Sequence, residues 1–207
     1  MKLKEQQLDK LLNELFPICR SLTGNGNRKT LKIIRKLIPI KIKEYNSGER
    51  VFDWRIPDEW NIKDAWIKNQ DGKKIVDFRN TNIHVVGYSK SVSGKFTFNK
   101  IKNKIHYSRK IPEAIPYLTS YYQRDWGFCV NKKQYNNLKK EKGRLEIKID
   151  SSFKKNGSMT VGELVIKGKY KKEILVSTYI CHPSLANDNL SGIVLTTYLA
   201  KKLSQKK

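Results

Sequence analysis

Apolar residues at Leu8, Leu11, Leu12, Leu15 and Phe16 return every three or four positions between Leu3 and Ile18, which predicts an amphipathic helix. The Gly-Asn-Gly stretch at Gly24 to Gly26 stops that pattern. A second helix follows, with Leu31, Ile34, Leu37 and Ile38 on one face, and Pro39 ends it. Ile40 to Tyr45 then alternates in the manner of a strand.

The pattern changes near Val51. All four tryptophans (Trp54, Trp60, Trp66 and Trp126) and three of the six prolines fall between Val51 and Val130, among short β-like runs such as Asp64–Asn69 and Asn82–Tyr88. The aromatic run Pro116–Tyr122, followed by Trp126, suits the core of a small β domain; it also suits the wall of a cleft. After Lys142 the α/β rhythm returns. Leu145–Ile149 and Met159–Ile166 read as strands, with a turn at Gly168. Glu173–Ile180 is an almost continuous apolar run of the kind buried on both faces of a mixed or parallel sheet. A helix starts near Asn189 and carries Ile193, Val194, Leu195, Tyr198, Leu199 and Leu203. The expected class is therefore α/β. Residues 1–50 and 143–207 form a mixed-sheet domain, interrupted by a β-rich aromatic module over residues 51–142.

Composition alters this picture only slightly. The net charge of +24 suggests an anionic partner, but the 43 Lys and Arg residues are spread along the whole chain. Abundant Lys, Asn, Ile and Tyr with only four Ala is also what an A/T-rich genome produces. No helix-turn-helix or RNA-binding signature is present, so no specific nucleic acid is expected. Cys19, Cys129 and Cys181 are odd in number and lack C-x-x-C spacing, which fits reduced thiols. The first residues are charged and amphipathic, and no apolar run reaches 18 residues. A cytoplasmic protein with no membrane association is the expectation.

Readable chemistry sits in one place, Cys181-His-Pro-Ser-Leu-Ala-Asn-Asp-Asn-Leu-Ser-Gly192, between the expected buried strand and the last helix. Ligands of open α/β sheets bind at the carboxyl ends of strands. His182 leaves that end and Asp188 follows six residues later, an imidazole and a carboxylate fit to share a zinc ion. Two plainer readings stand beside this one. His182 can be an ordinary loop histidine, and Asp188 or Asn189 can be the N-cap of the helix. Cys181 and His182, as neighbours on a strand, are expected to point to opposite faces. His84 and His106 lie in the aromatic module without carboxylates at useful spacing, and read as structural.

Thr160–Gly168, Ile174–Thr178, His182 and Ala186–Gly192 together resemble the core of the co-catalytic zinc aminopeptidases, peptidase family M-twenty-eight. Over its whole length the chain resembles a bacterial aminopeptidase-like group with an inserted domain, often encoded near polysaccharide biosynthesis genes. Cys19–Gly24, Val51–Trp54, Pro57–Trp60, Ser120–Tyr122, Trp126–Cys129 and Cys181–Asn189 carry that likeness. The resemblance implies a hydrolase with two zinc ions that acts on a small peptide or aminoacyl amide. His182 would ligate one zinc, and Asp188 would bridge two ions held about 3.5–4 Å apart.

Two departures follow from the same comparison. The better-known members place an orienting Asp two residues after the first His, where this chain has Ser184. Their general-base Glu and remaining ligands come after the Asn-Asp-Asn helix, whereas this chain ends at Lys207. No catalytic base is therefore expected within it. The chain reads as an N-terminal fragment, inactive by itself, with an apolar sheet edge and helix face left uncovered. A non-catalytic binding or scaffolding relative of the same fold is the alternative.

Overall fold

The structure of the protein, a computed structural model, describes residues 2–205. Met1, Lys206 and Lys207, which bear on the readings of the two chain ends, lie outside the described residues. The chain forms two compact units, each around its own hydrophobic cluster. One takes the residues up to Glu59 and those from Lys155 onward; the other runs from Trp60 to Lys154.

In the first unit, α1 (Lys2–Leu15) and α2 (Asn25–Arg35) form where the apolar spacing predicts them. Gly24, at φ 103, provides the left-handed turn into α2. Strand β1 (Lys41–Asn46) pairs antiparallel with β10 (Ser158–Glu163), Lys41 lying opposite Glu163 and Asn46 opposite Ser158. A Cβ on Gly162 would lie 2.6 Å from Leu31 Cδ2, so the missing side chain lets α2 lie flat on this sheet. Leu11, Leu15, Leu31, Ile34 and Ile38 meet Leu190, Ile193 and Val194 in the core. Arg28 clamps the polar side. It donates to both carboxylate oxygens of the buried Glu59, at 2.9 and 2.7 Å, and to Glu44 at 3.2 Å. A short hairpin, β2 (Arg50–Val51) and β3 (Trp54–Arg55), turns through Phe52, a bulky residue with φ 56 that is 91% exposed.

The second unit holds a four-stranded sheet in the order β5–β4–β9–β6. Its strands are β4 (Glu59–Lys68), β5 (Lys74–Asp77), β6 (Val92–Phe96) and β9 (Leu145–Lys154). Helix α3 (Phe98–Ile101), a parallel pair of β7 (Ile105–His106) with β8 (Phe128–Cys129), and α4 (Lys132–Lys140) complete it. The boundaries differ from the sequence division at 51–142. Leu145–Ile149 bonds to Val92–Phe96 and so belongs with the middle unit, while the Val51–Trp54 hairpin belongs with the outer one. Most of the aromatic residues fill core. Tyr88 stacks on Trp60 with ring centroids 5.5 Å apart and takes Tyr121 edge-on at 5.1 Å; Tyr122 is exposed.

His84 is buried. Its Nδ1–H donates to the Cys129 carbonyl at 2.7 Å, leaving Nε2 to accept from Gln134 at 3.4 Å. Gln134 also closes the capping box with Asn131 at the start of α4. Burial pushes the His84 imidazole below its ordinary value, and burial does the same to His106.

One expected element does not form. Glu173–Ile180 has no partner strand among the described residues and adopts no regular structure, with Ile174 92% and Leu175 90% exposed. A strand without a neighbour has no ladder to hold it. Helix α5 (Ser191–Ser204) buries Ile193 and Val194 but leaves Leu195, Leu199 and Leu203 exposed. No helix among the described residues is long and apolar enough to cross a membrane. The three cysteines are free thiols.

Two measurements check this description. A lowered native His84 value makes the stabilisation complete above the unfolded value of 6.5 and progressively lost as pH falls below it, because the unfolded chain then takes up a proton that the folded chain refuses. Denaturant unfolding at pH 7 and pH 5 will show lower stability at pH 5, and His84→Gln will reduce the difference; an unchanged slope refutes the assignment. Phe52→Asn relieves a left-handed bulky residue and is expected to raise stability by about 1 kcal/mol, whereas a loss would show that the exposed ring holds the hairpin.

Candidate functional site

The loop between Ile180 and α5 lies entirely within the first unit. Its C-terminal part, Ala186–Leu190, is one wide helical turn interrupted by the extended backbone of Asp188 (φ −113, ψ 90), and the Asp188–Asn189 peptide is cis. The two expected ligands meet, His182 Nε2 lying 3.7 Å from Asp188 Oδ2. His182 is largely covered, its side chain 16% exposed, while Asp188 is open to solvent at 64%.

The other ring nitrogen, Nδ1, lies 3.4 Å from Cys181 Sγ. The sequence reading had the two residues pointing to opposite faces. They come to one side because 173–180 is not a paired strand, so strict alternation does not apply. Burial raises the Cys181 thiol above its ordinary value. The ring of Tyr179 stands 5.9 Å from that of His182.

The loop is held on both sides. At the front, Arg20 Nη2 donates to the Pro183 carbonyl at 3.0 Å, and the Ser184 hydroxyl donates to the Phe16 carbonyl at 2.7 Å. At the back, the Asn189 side-chain amide donates to Thr178 Oγ1 at 2.9 Å and to the Tyr179 carbonyl. Neither Asp188 nor Asn189 caps a helix. The cap positions before the wide turn and before α5 are Leu185 and Leu190, and neither carries a side-chain cap bond. The Ser184 hydroxyl ties the loop to the carbonyl of Phe16, just beyond α1. Arg20 and Thr178 escaped the sequence reading. The string Cys19–Gly24 marked the neighbourhood of Arg20, but a buried guanidinium aimed at a loop 163 residues away leaves no mark in local pattern.

A tetrahedral zinc with donors at about 2.1 Å holds them about 3.4 Å apart, so His182 and Asp188 at 3.7 Å have the chemistry and separation to share an ion. A zinc site needs three or four donors. No group of three or more His, Cys, Asp or Glu able to hold a metal occurs among the described residues. The pair therefore fits as part of a site.

Comparison with known proteins gives the chain a family and a fold. A protein of Clostridium acetobutylicum named "Putative polysaccharide biosynthesis protein with aminopeptidase-like domain" is 50% identical over 197 residues, which are 95% of this chain and 45% of that protein. The crystal structure of a "putative peptidase" from Clostridium acetobutylicum superposes with a TM-score of 0.93 at 48% identity, over 97% of this chain and 47% of that one. The zinc aminopeptidase of Bacillus subtilis gives a TM-score of 0.42 at 14% identity, too slight a likeness to carry an inference. The fold is thus peptidase-like, a mixed α/β arrangement with small sheets. The family model described as "Domain of unknown function (DUF4910)" matches residues 9–207, and the chain belongs to that family. It spans less than half the length of both Clostridium acetobutylicum chains.

A Cβ on Gly192 would lie 2.9 Å from Thr178 Oγ1, the atom that accepts from Asn189. Gly192→Ala is expected to displace that hydroxyl and lower stability by about 1–3 kcal/mol. Adding Thr178→Ala should recover part of the loss in a double-mutant cycle; strict additivity would show that the contact does not decide the packing.

Proposed function

We propose that this chain supplies part of the metal centre of a zinc-dependent aminopeptidase-like hydrolase of the M-twenty-eight type, in which His182 and Asp188 would hold the zinc. The observation that carries the reading is the approach of His182 Nε2 to Asp188 Oδ2 on a loop fastened at both ends. The aminopeptidase-like name of the Clostridium acetobutylicum relative supports it. Zinc held there would polarise an amide carbonyl and lower the pKa of a bound water.

The chain's own residues prepare that role. Pro183 stiffens the exit from His182 and presents its carbonyl to Arg20, which limits the positions the imidazole can take. Asn189 fixes the backbone that follows Asp188. The exposed Asp188 carboxylate leaves one side of the pair open to a small peptide or aminoacyl amide. This reading gives metal-holding roles to His182 and Asp188 and assigns no general base. A cytoplasmic setting, with no nucleic-acid or membrane partner, goes with this reading.

A second reading, a non-catalytic binding relative tied to polysaccharide biosynthesis, draws on the engagement of Ser184 with Phe16 and on the name of the relative. Zinc titration of the chain, followed by the ring resonances of His182, separates the two. The hydrolase reading expects saturable shifts at His182 that Asp188→Ala abolishes while the rest of the spectrum is unchanged. No response at His182, or one that survives Asp188→Ala, favours the binding relative.

A further inference from the structure

Arg20 is 2% exposed. Taking a guanidinium out of water costs several kcal/mol unless charge and hydrogen bonds replace the lost hydration. No carboxylate does so here: among the described residues its contacts are carbonyls, Leu15 O at 2.6 Å from Nη1 and Pro183 O at 3.0 Å from Nη2, and Nε has no partner. Leu15 closes α1, so its carbonyl stands at the negative end of the helix dipole and offsets part of the charge. Burial lowers the guanidinium to about 10, which still leaves it protonated at neutral pH.

A residue needed only to finish α1 would require the bond to Leu15 alone. The second bond crosses 163 residues of sequence and ends one residue after His182. Ser184 reaches the opposite way, from the loop to the carbonyl of Phe16. The backbone just after Pro183 is thereby tied, through Arg20 and directly, to the carbonyls of Leu15 and Phe16 where α1 ends, and His182 lies immediately before that tied segment. An apolar side chain at position 20 would fill the space and hold neither carbonyl.

We propose that Arg20 is a positioning residue of the His182–Asp188 site, its buried guanidinium holding the Pro183 carbonyl against the end of α1 and so setting where the imidazole stands. The assignment to a metal site rests on the hydrolase reading above; the tether itself does not.

Arg20→Met and Arg20→Lys in the full chain test it, with amide hydrogen exchange and zinc titration read at His182. Arg20→Met is expected to speed exchange over Ser184–Leu190 about tenfold or more, leave α2 and the β1–β10 pair unchanged, and weaken zinc at His182 by a similar factor. Arg20→Lys, which keeps the charge and one bond, should restore part of both. Unchanged loop exchange in Arg20→Met overturns the proposal, as does an equal acceleration of loop and α2. If zinc leaves His182 of the unaltered chain unmoved, the metal reading falls and exchange alone decides the tether. Should Arg20→Met fail to fold, Arg20→Lys and Ser184→Ala decide by the same comparison of loop with α2.

Discussion

A cation buried without a carboxylate is costly, and proteins keep one only where carbonyls or helix ends replace the water it has lost. Arg20 stands in that position. The bond it makes to Pro183 brings a helix from the start of the chain to a loop near its end, and Ser184 doubles the link from the other side. At its far end the Cys181–Leu190 loop is fastened where Asn189 meets Thr178 and Tyr179. His182 and Asp188 sit between the two fastenings, which is why two residues of a surface loop stand at a defined separation.

Polar residues add to the order of the first unit beside its apolar cluster. Two helices, a two-stranded sheet and the start of α5 share one cluster, while Ile174, Leu175, Leu195 and Leu203 remain in solvent. The fork of Arg28 onto Glu59 and Glu44 fastens α2 to β1 and to the chain leaving this unit. The second unit is built differently. Its four-stranded sheet and α4 enclose a larger cluster, and aromatic stacking about Tyr88 adds to it.

The chain belongs to the DUF4910 family, and its close superposition on the structure named a "putative peptidase" from Clostridium acetobutylicum gives it a peptidase-like fold. Chemistry has to be argued from the loop itself. An imidazole and an open carboxylate 3.7 Å apart can share a cation, and no group of three or more His, Cys, Asp or Glu able to hold a metal occurs among the described residues.

Local pattern sufficed for much of the chain. Helical spacing marked α1, α2 and α5, and alternation marked β1, β9 and β10. These are properties of neighbouring residues, and the sequence by itself determined them. The rest depended on contacts between distant residues. Leu145–Lys154 joined the middle unit because its ladder partner is Val92–Phe96, which no spacing within the strand reveals. Glu173–Ile180 has the composition of a buried strand, but without a neighbouring strand its backbone groups have nothing to pair with and its side chains nothing to cover them. Arg20 reads locally as one more basic residue among 43, and only tertiary structure placed it in the core beside Pro183.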